Sequence, residues 1–319
     1  MARRAFIVGA YIPNGGTLMA YDVGRILHHD FGYSPVAVAT GDHGPDNGIF
    51  HYPDPFPSIG IDEMLGVAEA DDILLCNPSF SNNGFGLRFP GRKIMYVQDF
   101  KTFSLLDLYF DHYVSVSTVV RDFLKRTYGL KTGVIPAYVS LPEAPTPPWR
   151  ERDPDRILVH VKGRDKLSQT LAEEVRAIIT ARHPSARLEP LGTGEKTSHA
   201  ALLARIGSAR TLLSLVPAEG FGLTPLEAMG AGTAVCGLDG IAGRDYMRPG
   251  RNAMVTRYGP VADIAETALT LLASPARAET IAAAGRRTAQ RYLRPVFVQR
   301  WRKALTAMGV RPVNGSPPR

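Results

Sequence analysis

Short apolar runs alternate with amphipathic stretches of helical period along almost the whole chain. The first run, "AFIVGAY" at 5–11, is unbroken and of strand length, as expected of a strand covered on both faces. "PNGG" follows. Residues 17–32, "TLMAYDVGRILHHDFG", then place Leu18, Met19, Val23, Ile26 and Leu27 at helical spacing, with Gly32 as a stop. "SPVAVAT" reads as the next strand, which completes a βαβ unit. "DDILLCNPS", "KIMYVQD" and "HYVSVS" continue the series as strands, followed by the helix "TVVRDFLKRTYG" and the strand "KTGVIPAYV". Residues 141–155 carry five prolines, which suit neither a helix interior nor a central strand.

A second series opens with "RILVHVKGR" and passes through the helix "LSQTLAEEVRAIITARH", the strand "ARLEPLG", the helix "SHAALLARIGSA" and the strand "RTLLSLVP". "TAVCGLD" is a further strand, and "PVADIAETALTLLAS", "RAETIAAAGRRTAQRYL" and "VFVQRWRKALTAM" read as closing helices. The fold expected is α/β, with two tandem Rossmann-like doubly wound domains whose ligands bind beyond the carboxyl ends of the strands, facing a cleft. The boundaries read are 1–143 for the first domain, 144–155 for a linker and 156–295 for the second. A final helix at 296–310 can pack back on the first domain, and 309–319 reads as a disordered tail.

Composition narrows the class. At 319 residues, 45% hydrophobic and 21% charged, the chain is an ordinary soluble globular protein with room for two cores. Its net charge of +7 is uneven: residues 1–150 hold 12 Lys and Arg against 15 Asp and Glu, so the excess lies in the second half. Arg277, Arg286, Arg287, Arg291, Arg294, Arg300, Arg302 and Lys303 supply much of it. Such a cluster is either a solvated helix face or a contact for an anionic membrane or acidic substrate. Nucleic acid is disfavoured, because aromatics are not interleaved with these bases. Cys76 and Cys236 end apolar runs and read as buried free thiols. The N-terminal apolar run is too short for a signal segment, and no run of about 18 apolar residues spans a membrane. The location expected is cytoplasmic, with at most a peripheral membrane contact.

The candidate chemistry centres on "AEGFGLTPLEAMGAGTAV" at 218–235, which holds Glu219 and Glu227 eight positions apart. Thr224, Pro225 and Glu227 fit an N-cap, a first-turn proline and the acid of a capping box. That reading leaves Glu219, Gly220 and Gly222 unexplained. A glycine loop running into a helix start is suited to an anion, through free N–H groups and the helix dipole.

The stretch "PAEGFGLTPLEAMGAGTAV", followed by "GLDGIAGRDYMRPGRNAMV", resembles the signature of retaining GT-B glycosyltransferases of the GT4 type, E-G-F-G-x-x-x-x-E-A-M. "PNGG" and "VIPAYV" stand where that family has its N-terminal glycine loop and its strand before the linker. The resemblance is strong over 212–255 and weak elsewhere. It implies a metal-independent transfer from a nucleotide-sugar donor, UDP-, GDP-, dTDP- or ADP-linked, held by the second domain, to a hydroxyl acceptor on the first. The acceptor class is a glycan, a lipid-linked sugar or a small molecule, as in polysaccharide biosynthesis. Glu219 would then meet donor-sugar hydroxyls and Glu227 the ribose, with the backbone near Phe221, Gly222 and Leu223 against sugar and diphosphate.

The departing diphosphate needs cations. The family places an Arg and a Lys after the first strand of its second domain; here Lys162, Arg164 and Lys166 stand there, more closely spaced than in the family pattern. Arg164 and Lys166 are the favoured catalytic pair and Lys162 a donor contact. Gly16, with Gly15, can approach donor phosphate or acceptor. Asp99 stands near where relatives often carry a His and can polarise the acceptor hydroxyl or cap its strand. His112 and the pair His28 and His29 read as structural. "DPD" at 153–155 resembles the D-x-D of a metal-dependent class but falls in the linker, so no metal is expected. The competing readings are a catalytically degenerate sugar-nucleotide-binding scaffold and a GT-B-fold epimerase.

Overall fold

In a computed structural model of the protein, which describes residues 3–162, 165–191 and 197–312, the N-terminal apolar run forms β1 (Arg4–Val8). The chain continues through α1 (Gly15–Phe31), β2 (Ser34–Val38), β3 (Ser58–Ile59), α2 (Ile61–Val67), β4 (Ile73–Cys76), α3 (Phe85–Arg88), β5 (Arg92–Val97), β6 (His112–Ser115), α4 (Thr118–Tyr128) and β7 (Gly133–Val134). These strands make one parallel sheet in the order β3-β2-β1-β4-β5-β6-β7. Ala5, Phe6 and Ile7 of β1 are wholly buried, because helices cover both faces of such a sheet. The strand order reverses between β1 and β4, which opens a crevice at their carboxyl ends. α1 begins there: Asn14 caps it by accepting from the Thr17 N–H, and Gly32, at φ 74°, closes it.

The second sheet is built from β8 (Asp153–His160), α5 (Lys166–Arg182), β9 (Arg187–Leu191), α6 (His199–Gly207), β10 (Ala209–Ser214), α7 (Leu223–Gly230), β11 (Ala234–Leu238), β12 (Met254–Thr256), α8 (Val261–Ala273) and α9 (Pro275–Ala289). Its order is β12-β11-β10-β8-β9, again all parallel, and it reverses between β8 and β10. Ile157, Val159, Leu213 and Cys236 pack from the strands against Val175 of α5 and Ile264 and Ala268 of α8. The expected α/β class with two doubly wound sheets is therefore what the structure shows. The two compact units are residues 1–138 with 294–319, and 139–293.

The last helix, α10 (Arg294–Ala307), belongs to the first unit. Trp301 is fully buried against Tyr96, with ring centroids 5.1 Å apart, and Phe297 meets Tyr138 at 5.2 Å. Arg294 pairs with the buried Asp22 at 2.7 Å and Arg302 with Asp30 at 2.6 Å. Two cations of the basic C-terminal cluster are thus engaged within the unit.

Local readings change in three places. Asp153, Pro154 and Asp155 are strand, not linker: pairing with β10 jumps from Asp153 opposite Ala209 to Ile157 opposite Thr211, and Pro154 falls in that irregularity, where a missing N–H is tolerated. The final helix begins at Arg294 rather than at 296, so that Pro295 is its second residue, where its fixed φ suits a helix start. Gly309, at φ 77°, ends α10, and Val310 is buried, so the ordered chain runs past 309; residues 313–319 lie outside the described residues.

Candidate functional site

The reversal between β8 and β10 places two loop ends side by side. Lys162 stands two residues past the end of β8, and Glu219 five past the end of β10. The Lys162 Nζ lies 2.9 Å from Glu219 Oε1, with the carboxylate largely buried and the ammonium half-exposed. The backbone of Glu219 is fixed as well. Its N–H donates to the Gly240 carbonyl at 3.0 Å, alongside a parallel bridge to Ile241. That carbonyl also accepts from Ala242 N–H at 2.8 Å, which closes a γ-turn on Ile241 at φ 64°, ψ −60°. A β-branched residue at positive φ is strained. Asp239 holds the turn by accepting from the Ile241 N–H at 2.9 Å and from Arg244 Nε at 2.6 Å.

Between the two acids, Phe221 is buried against Tyr246 and Tyr292, with centroids 5.6 and 5.8 Å away. Gly222 adopts φ 85°, ψ 72°, and its carbonyl accepts from Tyr246 Oη at 2.6 Å. A Cβ on Gly222 would lie 2.9 Å from Tyr246 Oη and 3.0 Å from Glu219 Oε2, so glycine is required both by conformation and by space. Gly222 is also the N-cap of α7, which begins at Leu223.

The capping box expected from Thr224 and Glu227 does not form. Because the left-handed Gly222 turns the chain into the helix before Thr224, Glu227 is the fifth helical residue and too far along to reach the cap. Its buried carboxylate instead meets His199 Nε2 at 2.7 Å. His199 is the first residue of α6, behind its cap Ser198. Sequence reasoning missed it, since the two partners are 28 residues apart and share no periodic relation. A helix start with free N–H groups, flanked by one acid on a lysine and another on a histidine, can hold an anionic group while accepting from hydroxyls.

His160, the last residue of β8, is a second residue the sequence reading passed over. It is buried, and its Nδ1 has no partner among the described residues. Burial lowers its pKa; Glu219 and Glu227 oppose that shift and Lys162 adds to it. Lys166 is exposed as the first residue of α5, and Arg164 lies outside the described residues.

In the first unit, Gly15 and Gly16 are the first two residues of α1 rather than a loop, and Gln98 donates from Nε2 to the Gly16 carbonyl at 2.9 Å. Asp99 follows, and its Oδ1 accepts from the Lys101 N–H. A cavity beyond β4 and β5 is lined by Ser79, Ser81, Asn82, Lys101, Thr102 and Ser104, hence mainly by hydroxyls, an amide and one ammonium, together with the apolar Pro78 and Phe103. His112 opens β6, and burial lowers its pKa. Among the described residues, no cluster of three or more His, Cys, Asp or Glu could hold a metal ion, and no helix is long and apolar enough to cross a membrane.

Comparison with solved structures identifies the architecture. HepE of Anabaena, in complex with UDP and glucose, superposes with a TM-score of 0.73 at 14% identity, over 96% of this chain and 100% of that one. A glycosyltransferase of Rickettsia africae gives 0.71 at 14% identity, over 96% and 98%. The fold is that of the GT-B glycosyltransferases. Sucrose-phosphate synthase of Thermosynechococcus elongatus gives 0.68 at 15% identity, over 96% of this chain and all of its own. Some neighbours are longer: the chain spans 57% of the length of S. aureus TarM. No family model matches the sequence. No curated protein matches it either.

Proposed function

We propose that this protein is a glycosyltransferase that moves a sugar from a nucleotide-sugar donor to a hydroxyl acceptor, with retention of anomeric configuration and without a metal. The observation that carries the reading is the Lys162–Glu219 pair at the strand-order reversal, in front of the Gly222–Leu223 helix start. Glu219 accepts hydrogen bonds from hydroxyls of the donor sugar. Glu227, oriented by His199, accepts from the ribose hydroxyls. The N–H groups at Gly222 and Leu223 face the diphosphate.

As the bond between the anomeric carbon and the phosphate oxygen breaks, the acceptor oxygen bonds to the same face of that carbon. Its proton passes to the departing phosphate. Negative charge grows on the diphosphate, and a fixed cation stabilises it most in the transition state. Lys162 takes that role, with Arg164 and Lys166, which follow it closely in sequence, as further cations. On the first unit, Gly16, Asp99 and the hydroxyl-lined cavity form the acceptor side. UDP is the nucleotide we favour, because the HepE and TarM structures contain it.

Calorimetry and thermal shift against UDP-, GDP-, dTDP- and ADP-linked sugars test the proposal. One donor class should bind, adding about 2.7 kcal/mol of stability at 100 times its Kd. Lys162→Ala should lower transfer by about 100-fold or more while leaving the protein folded. Donor binding without turnover on any hydroxyl acceptor would favour the scaffold reading. Conversion of the donor sugar without an acceptor would favour an epimerase.

A further inference from the structure

The first unit displays an apolar surface that neither its fold nor the proposed chemistry uses. Leu87 is 71% exposed, Leu105 66%, Tyr109 62% and Leu108 47%. All four come from α3 and the segment at 105–109. The two pieces lie together: a Cβ on Gly86 would sit 2.5 Å from the Cβ of Tyr109.

The display is built into the segment. Leu106, Asp107 and Phe110 are buried while the residues between and before them point outward. The Asp107 carboxylate accepts from Gly86 N–H at 2.9 Å and Tyr109 N–H at 3.1 Å. Its carbonyl accepts from Tyr113 Oη at 2.7 Å, and that hydroxyl accepts in turn from Phe110 N–H at 3.0 Å. Leu105, Leu108 and Tyr109 are therefore held in water by a hydrogen-bonded loop, and a clustered apolar display of this kind marks an interaction surface.

Its electrostatic setting indicates the partner. Arg88 and Lys101 are exposed beside the patch. α4 adds the exposed Lys125 and Arg126; it packs through Phe123 against the stretch just ahead of the patch segment, its ring centroid 6.0 Å from that of Phe100 and 6.4 Å from that of Phe103. Residues 85–131 carry eight Lys and Arg against four Asp and Glu, within a half of the chain that is otherwise acidic. Asp107, one of the four, is turned inward. Exposed leucines and a tyrosine carried by a basic segment suit an interface where headgroups are anionic and the layer beneath is apolar.

We infer that this face of the first unit docks on an anionic lipid bilayer, with Leu87, Leu105, Leu108 and Tyr109 entering the headgroup boundary. The inference does not rest on the transferase reading. The test is co-sedimentation of the full chain with vesicles of phosphatidylcholine alone and of an equal mixture with phosphatidylglycerol. Binding is expected to the mixture only, to weaken with salt, and to fall by about tenfold or more in Leu105→Ser/Leu108→Ser. Lys101→Glu/Arg88→Glu should remove the preference for the mixture.

Thermal unfolding of each variant checks that the fold survives, since the substituted side chains face water. No binding to either vesicle overturns the inference. So does binding that survives both double substitutions and is lost in Arg300→Glu/Lys303→Glu, which would place the contact on α10. Concentration-dependent self-association abolished by the serine substitutions, with no vesicle binding, would assign the patch to a second copy and also overturn it. A chain that binds vesicles but no nucleotide sugar would sink the transferase reading and leave this one standing.

Discussion

Glu219 and Glu227 stand on one short stretch, yet a lysine faces the first and a histidine the second. The difference follows from where the strands end. Three cations fall within six residues after β8, and the sequence alone favoured Arg164 and Lys166 over Lys162. Because β8 ends at His160, Lys162 emerges beside the loop after β10, while Arg164 lies outside the described residues. His160 itself carries a consequence for stability. Burial holds its pKa below the ordinary value, as it does for His112, where Arg92 adds to the effect. The unfolded chain binds these protons near pH 6.5, whereas the folded chain resists them to lower pH. In that interval the unfolded state holds more protons, so stability is full above about pH 6.5 and declines as the pH falls through it. Calorimetric Tm values at constant ionic strength should therefore be level above neutrality and drop on the acid side, with a shallower drop in His160→Gln. An acid slope unchanged by that substitution would place the proton uptake elsewhere.

Between β10 and α7, one glycine sets the geometry. A side chain at Gly222 meets both an unfavourable φ and two oxygen atoms, so Gly222→Ala should cost about 1–3 kcal/mol of stability. It should also weaken donor binding by displacing Glu219, and chemical denaturation paired with calorimetry would separate the two losses. Normal stability together with normal donor affinity would show that the loop can re-form around a Cβ. This element also shows what sequence can and cannot reveal. The long strands were legible because parallel strands buried on both faces leave unbroken apolar runs, as in "AFIVGAY" and "RILVHV". β3 and β12, of two and three residues, are too short to carry a period. Glu219 was legible through the spacing of its motif. The start of α7 was not, because it depends on Tyr246 reaching back to the Gly222 carbonyl from 24 residues away. The same holds for His199, and for the strained turn at Ile241 that fixes the Glu219 backbone.

On the scale of the molecule, the chain leaves its first unit at Tyr138 and re-enters it at Arg294. The second unit is one uninterrupted segment, whereas the first is completed only by α10. Phe297, Trp301 and Leu305 fill its core, and Arg294 and Arg302 pair with Asp22 and Asp30 of α1. Trp301→Ala should cost about 3–5 kcal/mol, since an indole is removed from a fully buried site. Trp301→Phe should cost clearly less, because the indole Nε1 has no hydrogen-bond partner among the described residues and only volume is lost. The asymmetry extends to fragments. Residues 139–293 expressed alone should unfold cooperatively, because the sheet, its helices and the Lys162–Glu219 pair all lie within that segment. Residues 1–138 alone should not, and adding a peptide of residues 294–312 should restore a cooperative transition. Thermal unfolding followed by circular dichroism reads all three. A cooperative transition in 1–138 without the peptide would mean that the bare surface of α1 and Tyr96 is tolerated, and that α10 adds stability to a unit already folded.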